Sequence, residues 1–201
     1  MKTRSEKLNQ VASGIAKVCE VLIWACCGFF GLVLAIFLVT YLIAPEGMVE
    51  TLVDLDANGT IYFFLLPTNW SSIPETTSPS LYFLMGMFGI LQIVTSVFLG
   101  MIFRNINQIF QISAGKTKAS LGPTPFQPAN VKRVRQIALF AVGIPLVELI
   151  GFGCIALLVG PEVFVTYGIH LEFILLGIVV LCLSQFFAYG VELQTDVDGL
   201  L

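Results

Sequence analysis

Four apolar stretches, three of them without a charge, set the pattern of the chain. Residues 21–44, VLIWACCGFFGLVLAIFLVTYLIA, contain no ionisable acid or base and stop at Pro45. About 20 such residues cross the hydrocarbon of a bilayer, so this is a first membrane span. Residues 81–103, 137–159 and 173–189 repeat the pattern. The fold expected is an all-α integral membrane protein with four transmembrane helices in one bundle, a single domain over residues 1–201.

Finer periodicities fall inside and beside these spans. Cys27, Gly31 and Ala35 recur every fourth residue, a small-residue stripe suited to close helix contact. Gly89, Gln92, Ser96 and Gly100 form a small or polar face on the second span, and Pro145 should kink the third. Before the first span, Leu8, Val11, Ile15 and Val18 mark an amphipathic lead-in expected on the membrane surface. After the second, Phe103, Ile106, Ile109, Phe110 and Ile112 carry the helical pattern beyond the membrane until Gly115 breaks it.

The intervening segments read as turns. Lys116 to Pro125 is expected to be flexible, and Gln127-Pro128 to open the third helix, because proline suits the first helical position. Between the first two spans, Asn58-Gly59 sits between two apolar-rich runs and predicts a small hairpin in the outer loop. Asn58-Gly-Thr and Asn69-Trp-Ser match glycosylation sequons, which carry weight only in a eukaryotic secretory setting.

Composition agrees with a membrane protein. The chain is 57% hydrophobic and 11% charged, with mean hydropathy +0.91, whereas soluble domains are about a quarter charged. The five cysteines, all in or beside apolar segments, form no CxxC and read as packing residues. The first apolar run is longer than a signal-peptide core and lacks a clear cleavage site.

Charge adds direction. Lys2, Arg4, Lys7 and Lys17 precede the first span, and the other six of the ten basic residues lie between Arg104 and Arg135. The outer segments hold seven acids and no base. Chance would segregate ten cations this way on the order of once in a thousand chains. Positive residues remain cytoplasmic, so both termini and the 104–135 connector are expected inside.

The connector and tail carry three signatures, beginning with Phe103-Arg104-Asn105-Ile106-Asn107-Gln108-Ile109-Phe110 at the end of the second helix. Pro125, Phe126, Pro128, Asn130, Val131, Lys132, Arg133 and Arg135 follow before the third, and Phe187, Gly190, Leu193 and Gln194 close the fourth. In these signatures the chain resembles a bacterial family of four-helix membrane proteins known as domain of unknown function 2975. The chain departs from the family pattern at Gln127, where Thr or Ser is usual, and at Gly199-Leu200-Leu201. The resemblance implies a bacterial plasma-membrane protein and supplies no activity. Members of that family often sit beside genes for small helix-turn-helix regulators, which implies such a regulator as a candidate partner without supplying a mechanism.

Two groups of residues could carry function. Glu148 is the one ionisable residue deep in a span, about 16 Å along the helix from Ile137. Such residues are costly and commonly functional, and Gln92, at a matching depth, is its expected partner. The second group is a cytoplasmic platform of Arg104, Lys132, Arg133, Arg135, Glu192, Asp196 and Asp198, with ion pairs between connector and tail. His170 and Glu172 read as interface residues, since two ligands make no metal site. No phosphate loop or hydrolase motif occurs, so neither enzyme chemistry nor a cofactor is expected. The reading is a regulator or anchor that meets the bilayer and a cytosolic protein, without direct nucleic-acid contact; self-association stays open. The alternative is a small transporter or accessory protein using Glu148.

Overall fold

The computed structural model of the chain describes residues 4–43, 60–63, 66–69, 78–122, 124–159 and 170–199. Four long helices are present: α1 (Arg4–Ile43), α2 (Ser78–Ser113), α3 (Pro128–Val159) and α4 (Glu172–Asp198). Each contains a stretch long and apolar enough to cross a membrane. Their outward side chains are apolar as well: Leu157 is 88% exposed, Leu42 80% and Phe186 72%. Water would penalise such surfaces, whereas lipid does not. The protein is a four-helix, multi-pass membrane protein.

The helices exceed their spans. At 1.5 Å per residue, the 40 residues of α1 reach about 60 Å, twice the hydrocarbon thickness. The lead-in is therefore one helix with the first span, not a separate segment lying on the surface. The helical continuation after the second span is likewise part of α2, through to Ser113. There Gly115 adopts φ +71°, and the Gly115 and Lys116 amides donate to the carbonyls of Ile112 and Gln111. This is the Schellman arrangement, in which a left-handed glycine satisfies the last carbonyls of the helix.

A two-stranded antiparallel ladder, β1 (Thr60–Phe63) with β2 (Leu66–Asn69), pairs Thr60 with Asn69 and Phe63 with Leu66. The hairpin is thus real but displaced from the position expected. Its two-residue connection follows Phe63, and Asn58-Gly59 lies outside the described residues.

Two compact units divide the chain. The first comprises Met1–Ala25, Ser96–Pro145 and Leu171–Leu201, and the second Cys26–Thr95 and Leu146–His170. In the first, Ile102, Ile137, Ala141 and Ile144 are buried, with Phe98, Phe140, Phe173 and Val180 packed against them. Glycines permit the close approaches of α3 to α2 and α4. A Cβ at Gly143 would lie 2.7 Å from the Phe98 ring, and one at Gly177 2.5 Å from Val142. In the second unit, Gly89 abuts Leu34, Gly151 abuts Leu91, and the Phe88 and Phe152 rings stand 6.1 Å apart. The small face of α2 is used for packing, as Gly89, Ser96 and Gly100 are all buried. The stripe on α1 is not: Ala35 is exposed, and Gly31 has open space beside it.

Candidate functional site

The connector is built rather than loose, contrary to the flexible turn that its Gly and Pro content suggests. Gln127, only 1% exposed, folds its side chain back over the loop. Its Nε2 donates to the carbonyls of Gly122 and Thr124, each at 2.7 Å, while Oε1 accepts the Leu121 amide at 2.9 Å. Asn130, fully buried, donates to the Pro125 carbonyl and to Ser113 at the end of α2. Ser120 donates to the carbonyls of Ile112 and Gly122. Buried backbone carbonyls need such partners. Gln127 has the reach to serve several at once, which a Ser or Thr there would lack.

The end of α4 closes on this loop. Thr124 donates to Gln194 at 3.0 Å, and the Phe126 and Phe187 rings lie 5.9 Å apart. Phe126 also covers Gly190, where any Cβ would collide with the ring. Connector and tail meet through aromatic and amide contacts, and the expected ion pairs are not what joins them. Among the described residues no salt bridge links Arg104, Lys132, Arg133 or Arg135 to Glu192 or Asp196; the Asp198 side chain lies outside them. Arg133 is turned inward, donating to Asn105 at 3.3 Å and Gln136 at 3.0 Å. Arg104, Lys132, Arg135, Glu192 and Asp196 are exposed. Isolated surface pairs gain too little to draw long side chains together.

Between α3 and α4, within the first unit, lies a groove of about 530 Å³. Lys132 and Arg135 line its α3 wall and Glu192 its α4 wall, over Val131, Leu139, Ala188 and Val191.

A polar network that sequence reading missed crosses from α1 to α2 in the same unit. Glu20, 8% exposed, accepts from Asn107 at 3.1 Å and from Lys17 at 3.2 Å. Asn107 in turn accepts from Ser13 at 3.3 Å and Gln111 at 3.2 Å. The available signal was spacing, since Ser13, Lys17 and Glu20 share one helical face. It was hidden because residues 1–20 read as an amphipathic lead-in, where polar residues are expected and no single one stands out.

Glu148 is buried, as expected for an acid in a span, but its partner is His170 rather than Gln92. The His170 ring Nδ1 lies 2.8 Å from Glu148 Oε1, and the His170 backbone amide donates to Oε2 at 3.1 Å. Both oxygens are taken by one residue placed just before α4. Gln92 is half-buried on α2 with no hydrogen bond to Glu148. The expectation failed because it matched depths along two helices and gave the link before α4 no role. Glu172, read with His170 as an interface residue, opens α4 and is exposed. No family model, curated protein or solved structure matches this chain.

Proposed function

We propose that this protein is a non-enzymatic regulator or anchor of the bacterial inner membrane, with both termini and the connector in the cytoplasm. Its cytoplasmic face would receive a protein partner. A small helix-turn-helix regulator is the class suggested by the resemblance to domain of unknown function 2975. One observation carries the reading: on a connector tied down by Gln127 and Asn130, the exposed Arg104, Lys132 and Arg135 have no ion-pair partner among the described residues. Ordered, unsatisfied cations can discriminate an acidic partner with little further ordering cost.

Charge reversal at Arg104, Lys132 and Arg135 tests it, leaving the inward-facing Arg133 untouched. In a background with the native cysteines replaced, labelling should place positions 5, 118 and 196 inside and position 60 outside. The reversed protein should keep that orientation and lose partner recovery from native membranes. Unchanged recovery, or labelling of position 118 from outside, overturns the proposal. A second reading, a small transporter or accessory protein, draws on the Glu148–His170 contact, which sets a buried acid of a span 2.8 Å from an imidazole. It requires cation or proton flux in liposomes that Glu148→Gln abolishes.

A further inference from the structure

We propose that the groove between α3 and α4 binds a zwitterionic aminophospholipid, its phosphate on Lys132 and Arg135 and its ammonium on Glu192. The inference goes beyond the reading of a protein partner; it shares Lys132 and Arg135 with that reading and is tested separately, on purified protein with no partner present. Lys132 and Arg135 stand three residues apart on α3, a spacing that puts both heads on one helical face. Both lie in the second turn of α3 and are exposed at the groove. Glu192 lines the same groove from α4, yet forms no salt bridge with either cation. Opposite charges thus face one groove with a gap between them. A headgroup carrying phosphate at one end and a primary ammonium at the other has the charges, in the right order, to bridge that gap.

The apolar side of the groove argues for a lipid over a soluble phosphate. Leu139, one helical turn past Arg135, is 70% exposed and begins the apolar part of α3; Ala188 and Val191 continue the surface on α4. The site therefore grades from charged to apolar over about two turns, as a phospholipid does from head to acyl chain. At about 530 Å³ it falls within the roughly 300–1,000 Å³ typical of small-ligand sites. Glu192 is the discriminating residue. It repels a purely anionic headgroup, and it cannot accept a hydrogen bond from a quaternary choline, which has no N–H.

Native mass spectrometry of the full chain, offered equal amounts of phosphatidylethanolamine, phosphatidylglycerol and phosphatidylcholine, tests this. The unmodified protein should retain phosphatidylethanolamine roughly threefold over either competitor, the scale of a partly exposed charge pair. Glu192→Gln should erase the preference over phosphatidylglycerol, and Lys132→Ala with Arg135→Ala should weaken retention of all three. Equal or greater retention of phosphatidylglycerol or phosphatidylcholine by the unmodified protein overturns the proposal. So does a preference that survives Glu192→Gln.

Discussion

Two buried glutamates in this protein solve one problem in opposite ways. Glu20 sits in the first unit within a five-member network: Lys17 and Asn107 donate to it, and Ser13 and Gln111 donate to Asn107. Glu148, in the second unit, gives both carboxylate oxygens to His170 alone. A buried carboxylate without partners is expensive in either setting. The network spreads that risk over two helices and several side chains. The pair concentrates it in one residue outside the helices. Distributed polar contacts serve to fix helix register, whereas contact with a single residue ties the acid to the start of α4.

Glu148→Lys should have the largest effect. It sets a cation against the His170 amide and ring. Breaking a buried pair this way costs about 3–5 kcal/mol. We expect loss of the folded protein in detergent, seen as aggregation on size exclusion. Glu148→Gln keeps one acceptor and should remain folded. A well-folded Glu148→Lys protein would mean that the pocket around the carboxylate opens freely to water.

Asn107→Leu comes next. It strips Glu20 of one donor and leaves Ser13 and Gln111 without their acceptor, a loss of about 2 kcal/mol. Lys17 still reaches Glu20, so the protein should fold and unfold earlier in a denaturant titration. An effect as large as that of Glu148→Lys would remove the contrast between network and pair.

The two acids also differ in how far the sequence disclosed them. Glu148 was visible because a single acid in 23 apolar positions is conspicuous, and four spans with long amphipathic extensions followed from periodicity alone. Glu20 was invisible because it closes an amphipathic lead-in where polar residues are expected, and its burial arises only when α2 runs beside α1. Partners were the harder inference throughout. Gln92 was chosen for depth, but hydrogen bonding to Glu148 came from a residue fixed by the course of the chain into α4. The connector was misjudged for a related reason. Gly and Pro content signals a turn, while the ordering comes from one glutamine side chain that composition cannot reveal.

His170→Ala sharpens the comparison at smaller scale. It deletes the ring contact but keeps the backbone amide on Glu148 Oε2. The ring is more than half exposed, at 56%, so the loss should be about 1 kcal/mol. Adding Glu148→Gln should then cost less than it does alone, since the ring contact is already gone. Additive losses in that pair would show the ring contributes nothing to holding the acid.

Ser13→Ala and Gln111→Ala should give the smallest single effects and the clearest test of a shared network. Both donate to the same atom, Asn107 Oδ1, at 3.3 and 3.2 Å. Removing either leaves that oxygen with the other donor, so each substitution should cost only about 0.5 kcal/mol. Removing both leaves a buried oxygen with no donor on a residue that is 4% exposed, and the cost of an unmet polar group then appears in full. The double variant should exceed the sum of the singles by about 0.5–1 kcal/mol in a denaturant titration. The sign of that coupling is what matters. Redundant donors make the second loss worse than the first, whereas independent donors give simple addition. An additive result would mean that Asn107 finds other partners or water, and that Glu20 is held, like Glu148, by its immediate contacts alone.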